Sequence, residues 1–164
     1  MLIAKAAEKM VRFYEDSTHD INHFLKVWAY ARTIGQLEGL DPLTQQTLEL
    51  AAIVHDIACP LCRRLYGSTD GPLQEREGAV MAEEFLKEFR LPPEQLGRIC
   101  YLVGHHHTFT GVNGLDYQIL LEADYLVNAE EKELDSKTVA YTEERVFRTA
   151  AGSRLLESIF LSHE

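Results

Sequence analysis

Apolar residues recur at three- and four-residue steps along almost the whole chain, the spacing of one face of an α-helix. No alternating apolar and polar run of convincing length predicts a strand. The sequence therefore predicts an all-α fold, a single-domain helical bundle over residues 1–164. The predicted helices cover about 2–16, 18–38, 42–58, 75–90, 93–104 and 117–129, with one or two more across 138–161 that break near Gly152.

Length and charge exclude several classes of protein. The 164 residues suit one domain, and no apolar run approaches the ~18–20 residues of a membrane helix. Charges spread through residues 1–10 are unlike a secretory signal, so we expect a cytoplasmic protein without a membrane partner. Sixteen basic and 26 acidic residues give a net charge of −10, which disfavours duplex nucleic acid as a partner. A small anionic substrate would need a cation to receive it, and a divalent metal would supply one.

Cys59, Cys62 and Cys100 are an odd set that argues against a disulfide framework. Cys59 and Cys62 form a CxxC pattern without the second pair that a zinc ribbon needs. We expect reduced thiols near a helix end, with Cys59-Pro60 ending the third helix.

Histidines and carboxylates interrupt three apolar helices. His55-Asp56 closes the run Leu50–Ile57, Asp124 lies within Ile119–Val127, and His23 shares a face with Val27 and Ile34. A buried carboxylate without partners costs several kcal/mol, so each intrusion needs compensation. A hydrogen-bonded His–Asp pair in the core or a bound metal ion would supply it. Of the acidic residues Glu122 and Asp124, two apart on one helix, only one is expected to point inward.

The order His23, His55-Asp56, Asp124 resembles the H…HD…D signature of the HD-domain metal-dependent phosphohydrolases. The flanks Ala51-Ala52-Ile53-Val54 and Leu121-Glu122-Ala123 are also similar, and the resemblance covers about residues 19–130. It implies a bundle of the HD-domain type with one or two divalent ions. It also implies hydrolysis of phosphate esters, often of nucleotides.

The resemblance implies roles for individual residues. His23, His55, Asp56 and Asp124 would bind manganese, iron, cobalt, nickel or zinc. Asp56 would also hold the attacking water, and His105 or His106 would donate a proton to the leaving oxygen. Position alone, apart from the resemblance, suggests three cations that could bind the substrate phosphate: Lys26, one turn after His23, and Arg63 and Arg64, just beyond the third helix. For each of them, an ordinary surface charge is the alternative.

The segment Val103–His107 resembles the paired histidines that bind a second metal or phosphate in binuclear relatives. Residues 71–79 lack the histidine that many two-metal relatives carry there. A single ion is therefore favoured; the alternative is a second site formed by Glu77, His105 and His106. His105 and His106 are expected to point inward, and His107 is expected to be a solvated neighbour.

The leading interpretation is a metal-dependent phosphohydrolase acting on a small phosphorylated molecule, such as a nucleotide. Three alternatives remain at this point. One is a di-iron oxygenase on the same ligands, another is a non-catalytic nucleotide- or metal-binding regulatory protein, and the last is a helical interaction module with structural His–Asp pairs. A homodimer is a reasonable expectation for a small enzyme.

Overall fold

The computed structural model describes residues 1–161 of the chain. Within that range it contains nine α-helices, a 3-10 turn at Lys87–Phe89 and a π-helical turn at Glu157–Leu161. The helices are α1 (Leu2–Tyr14), α2 (Thr18–Leu37), α3 (Pro42–Val54), α4 (Cys59–Tyr66), α5 (Gly71–Leu86), α6 (Pro93–Val103), α7 (Leu115–Glu131), α8 (Ser136–Val146) and α9 (Ala150–Leu156).

The all-α prediction is confirmed, since the described residues contain no strand. The helices pack around one hydrophobic core, in which α2 lies against both α3 and α7, and α3 also contacts α1 and α6. Phe24, Leu50, Ile53 and Leu120 are completely buried there. No helix within residues 1–161 is both long and apolar enough to cross a membrane.

Two features of the sequence explain where α3 and α4 begin. Asp41 caps α3 by accepting hydrogen bonds from the amides of Leu43 (3.0 Å) and Thr44 (3.1 Å). The prediction that Cys59-Pro60 ends α3 was wrong, because α3 ends at Val54 and Pro60 lies in the first turn of α4. A proline is tolerated in a first helical turn, where its missing N–H has no helical partner.

Two further boundaries differ from the prediction. α5 begins at Gly71, earlier than the predicted residue 75, because Pro72 opens it. The break in the C-terminal segment lies at residues 147–149, and Gly152 belongs to α9. Thr149 makes this break by capping α9, accepting a hydrogen bond from the Gly152 amide at 2.9 Å.

Candidate metal centre

Three helices bring the predicted ligands together. His23 lies on α2, Asp124 lies on α7, and His55 and Asp56 occupy the end of α3 and the turn that follows it. The Tyr14 hydroxyl, at the end of α1, donates to the carbonyl of Asp56 at 2.8 Å and so holds that turn. All four ligand candidates are buried or nearly so.

Their nitrogen and oxygen tips converge on one point. His23 Nε2 lies 3.3 Å from His55 Nε2, 3.2 Å from Asp124 Oδ1 and 3.4 Å from Asp56 Oδ2. His55 Nε2 lies 3.5 Å from the same two carboxylate oxygens. The two Nε2 atoms therefore lie 3.3 Å apart, and each is within 3.5 Å of one oxygen of both carboxylates in the interior.

Hydrogen bonds on the far side of each ring determine what these nitrogens offer. His55 Nδ1 lies 2.8 Å from the carbonyl oxygen of Ala52, and His23 Nδ1 lies 2.9 Å from Glu131 Oε2. Because each oxygen only accepts, Nδ1 carries the proton, and Nε2 of the neutral ring carries the lone pair. Two imidazole lone pairs and two carboxylates then face each other, an arrangement that requires a positive charge between them.

The donor set fits a divalent transition metal. Ligands bound at about 2.1 Å from one ion lie roughly 3.0–3.4 Å apart, close to the distances found here. The electrostatics indicate the same need for positive charge. Burial works to lower the pKa of His23, but Asp124 and Asp56 outweigh it and raise that pKa to about 9. Burial likewise opposes ionisation of Asp56, but His55 and His106 hold its pKa well below the usual range.

A second layer of polar groups on α7 and α2 supports the ligands. Asn128 Nδ2 donates to Asp124 Oδ1 at 2.8 Å. Glu131 accepts from His23 Nδ1 and also from Lys26 Nζ at 3.0 Å. Carboxylate–histidine contacts of this kind orient metal-binding imidazoles. The sequence reasoning missed Asn128 and Glu131, although both follow Asp124 at helical steps of four and seven residues.

The histidine triplet after α6 differs from the prediction. His106 is buried, with Nδ1 at 2.7 Å from the Val103 carbonyl and Nε2 at 3.2 Å from Asp56 Oδ1. His105 instead stacks on Tyr101, with ring centroids 4.1 Å apart, and its Nδ1 lies 2.7 Å from the Tyr101 carbonyl. His107 is the neighbour that joins Asp56 and His106 in a second cluster of potential metal ligands.

His107 was therefore wrongly expected to be a solvated neighbour, and His105 was wrongly expected to point inward. His107 is covered because the start of α5 lies close to it: a Cβ on Gly71 would lie 2.9 Å from the Cβ of His107. His107 Nε2 is buried without a hydrogen-bond partner within residues 1–161. Burial and the charge of His106 lower the pKa of His107 to about 4, so its ring is neutral near pH 7.

A cavity of about 400 Å³ opens beside the ligands and is lined by His23, Asp56, Arg63, His107 and Lys132, among others. Arg63, one of the predicted phosphate-binding cations, reaches it, with Nη1 at 3.3 Å from Asp20 Oδ1. Lys132, which the sequence analysis did not single out, also lines the cavity. No sequence signal distinguishes Lys132, because many exposed lysines follow a helix.

The other predicted cations and Glu77 lie elsewhere. Lys26 Nζ is held by Glu130 Oε2 at 2.6 Å and by Glu131, so Lys26 supports a ligand instead of lining the cavity. Arg64 is exposed and is not among the lining residues. Glu77 Oε1 accepts from Tyr66 Oη at 3.0 Å and from Arg76 Nε at 2.9 Å, outside both ligand clusters.

The cysteines are free thiols. Cys59, the first residue of α4, lines the cavity, and its thiol donates to Gln74 Oε1 at 3.2 Å. Burial raises the pKa of Cys59 well above its ordinary value, which keeps the thiol protonated and unreactive.

A helical domain with a buried His–Asp cluster of this order defines a class of metal-binding proteins. The HD domain matches residues 20–141, and the chain therefore belongs to the HD-domain family, which groups metal-dependent hydrolases. A predicted HD superfamily hydrolase from an uncultured Thermotogales bacterium has a similar crystal structure. The two chains share 25% identity and a TM-score of 0.66 over 95% of this chain and 82% of that one. The chain matches none of the curated proteins with which it was compared.

Proposed function

We propose that the chain is a metal-dependent phosphohydrolase that cleaves a small phosphate ester with an activated water molecule. The observation that carries this proposal is the convergence of two imidazole nitrogens and two carboxylates at 3.2–3.5 Å, each ring oriented by a second hydrogen bond. A structural His–Asp pair would need only one imidazole and one carboxylate, whereas two of each converge here. Membership of the HD-domain family supports the same interpretation.

His23, His55, Asp56 and Asp124 would hold the divalent ion. Manganese, iron, cobalt, nickel and zinc all accept such mixed nitrogen and oxygen ligands. When bound, the ion would supply Lewis acidity, which polarises a phosphoryl oxygen and makes water a stronger nucleophile near neutral pH.

The protein's own groups would orient the reactants. Asp56 uses Oδ2 toward His23 and His55 and Oδ1 toward His106, so its position is fixed from both sides. That carboxylate is suited to hold the attacking water by accepting a hydrogen bond from it. Arg63 would bind the phosphate as a planar, permanently charged donor.

The leaving oxygen needs a different partner from the one predicted. His105 lies away from the cavity and His106 is occupied by Asp56 and Val103. His107 lines the cavity, and its buried Nε2 has no hydrogen-bond partner within residues 1–161, so His107 is the side chain that would hydrogen bond with a substrate oxygen.

The decisive experiment combines metal analysis with a substrate panel. The purified protein should contain about one equivalent of a transition metal. A chromogenic phosphate ester, sugar phosphates and nucleotides, assayed with manganese, should release phosphate above a chelated blank. Asp56→Ala should lower turnover by at least about 10³-fold while the circular dichroism of the helices stays unchanged. Absence of release across the panel would refute the phosphohydrolase and favour a binding protein.

The second cluster, Asp56, His106 and His107, favours one other candidate, an oxygen-activating di-iron protein. That cluster offers three protein donors among the described residues, and Asp56 belongs to both clusters, which together would hold two ions. Two equivalents of iron with visible absorption, together with absence of phosphate release, would support the oxygenase and exclude the hydrolase.

A further inference from the structure

The wall of the cavity beside the metal centre is unusual in its chemistry. Ligand sites are lined mainly by apolar and aromatic side chains, with a few polar groups that fix orientation. Among the described residues that line this cavity, none is a phenylalanine, tyrosine, tryptophan, leucine, isoleucine, valine or methionine. Apart from Cys59 and Gly71, every lining residue carries a polar or charged side chain.

This wall offers little to a nucleobase. Proteins bind bases by stacking them on aromatic rings and apolar faces. Within residues 1–161, the rings that line this cavity are all imidazoles. His23 belongs to the metal centre, His107 packs against His106 with ring centroids 4.0 Å apart, and His19 is exposed at the rim. A base would thus remain in water or lie against charged groups.

The same wall suits a molecule rich in hydroxyl groups. Asp70 and Lys132 line the cavity, and within residues 1–161 neither side chain makes a hydrogen bond or ion pair. Asp70 accepts hydrogen bonds from hydroxyls, and Lys132 donates to them or to phosphate. The volume of about 400 Å³ is at the lower end of the roughly 300–1,000 Å³ typical of ligand sites, which suits a small molecule.

We infer that the substrate is a small polyhydroxylated phosphate ester, of the sugar phosphate or polyol phosphate class, and that nucleotides are poor ligands. This inference rests on the proposed function for the reaction, but it concerns the cavity wall and not the ligands of the metal. Asp70 would bind the hydroxylated part of the substrate while Arg63 binds the phosphate.

The test uses ribose 5-phosphate and adenosine 5′-monophosphate, which differ at the anomeric carbon: the sugar phosphate carries a hydroxyl there and the nucleotide carries the base. With the manganese-loaded protein, kcat/KM for the sugar phosphate should exceed that for the nucleotide by about tenfold or more. Equal values, or a preference for the nucleotide, would overturn the inference while leaving the phosphohydrolase in place.

Binding provides a readout that does not need turnover. Thermal unfolding of the metal-loaded protein should shift upward more with ribose 5-phosphate than with the nucleotide at equal concentration. If neither compound is hydrolysed but this order holds, the proposed reaction fails and the inferred ligand class stands. If the nucleotide protects as well as the sugar phosphate does, the ligand class is wrong.

A matched pair of variants locates the contact. Asp70→Asn should weaken ribose 5-phosphate binding about fivefold to tenfold relative to inorganic phosphate, because it removes a charged acceptor. Glu94→Gln, an exposed change in the first turn of α6 and outside the cavity, should leave both affinities unchanged. An unchanged affinity ratio in Asp70→Asn would remove Asp70 from the site and overturn its assigned role.

Discussion

Glu122 and Asp124 lie two residues apart on α7, and both carboxylates are buried, but they contact different kinds of partner. Glu122 is completely buried and accepts from Gln118 Nε2 (2.7 Å), from the amides of Arg148 (2.7 Å) and Thr149 (3.0 Å), and from the Thr149 hydroxyl. Asp124 is almost as buried, but within residues 1–161 its carboxylate accepts from one side-chain amide, that of Asn128, and otherwise faces His23 and His55.

The comparison shows how a structural carboxylate differs from a candidate ligand. Glu122 has enough protein donors to satisfy both oxygens, and it ties α7 to the junction between α8 and α9. Asp124 faces the Nε2 atoms of His23 and His55, whose Nδ1 atoms are hydrogen-bonded to other groups. The expectation that only one of the two acids points inward was wrong, because α7 is covered on both sides.

Removing the charge of Asp124 should have the largest effect. Asp124→Asn keeps the shape of the side chain but weakens its attraction for a cation. We expect the metal affinity to fall by more than about 100-fold, and kcat to fall with it. Elemental analysis after dialysis and a kcat measurement check this. The far-ultraviolet circular dichroism should stay unchanged, and a full complement of metal in the variant would contradict the assignment.

Glu122→Ala should affect stability and not metal. It leaves buried donors of Gln118, Arg148 and Thr149 without a partner, so the free energy of unfolding should fall by about 3 kcal/mol. Urea denaturation measures the loss. Glu122→Gln, which keeps one acceptor oxygen, should lose less. If the variant instead kept the wild-type free energy of unfolding and lost its metal, the two carboxylates would not have separate roles.

Glu131 and Glu130 allow a sharper test of the second layer. Both carboxylates contact Lys26, but only Glu131 reaches His23 Nδ1. Glu131→Gln should lower metal affinity by about 10–100-fold, measured by competition with a chelator. Glu130→Gln should leave that affinity unchanged. Equal effects would mean that Lys26, and not the orientation of His23, matters.

The candidate ligands and the residues around them also differ in how far the sequence could predict them. The order of the candidate ligands could be predicted from the sequence, because His23, His55-Asp56 and Asp124 each interrupt an apolar helix. The sequence could not predict which of His105 and His107 lies beside Asp56. That depends on the close approach of Gly71 to His107 and on the stacking of His105 on Tyr101. Patterns within one helix are local, whereas these contacts depend on how separate helices pack.

Long-range pairing explains the remaining errors. Lys26 lies one turn after His23, which suggested a phosphate contact, but Glu130 and Glu131 on α7 hold it. Only the packing of α2 on α7 reveals that pair. Pro60 was ambiguous for a local reason, since a proline both ends one helix and begins another.

The smallest effect is expected from a substitution at Gly152, which tests whether the Glu122 side chain is held in one position. A Cβ there would collide with the Glu122 carboxylate and lie 2.6 Å from Thr149 Oγ1. Gly152→Ala should therefore cost about 1–3 kcal/mol of unfolding free energy. Gly97→Ala, in α6 with nothing within 4 Å of the new Cβ, should instead stabilise by about 0.5–1 kcal/mol. Calorimetry would measure both, and neither change should alter metal content. If Gly152→Ala unfolds at the wild-type temperature, Glu122 can move aside, and its satisfied environment is not what distinguishes it from Asp124.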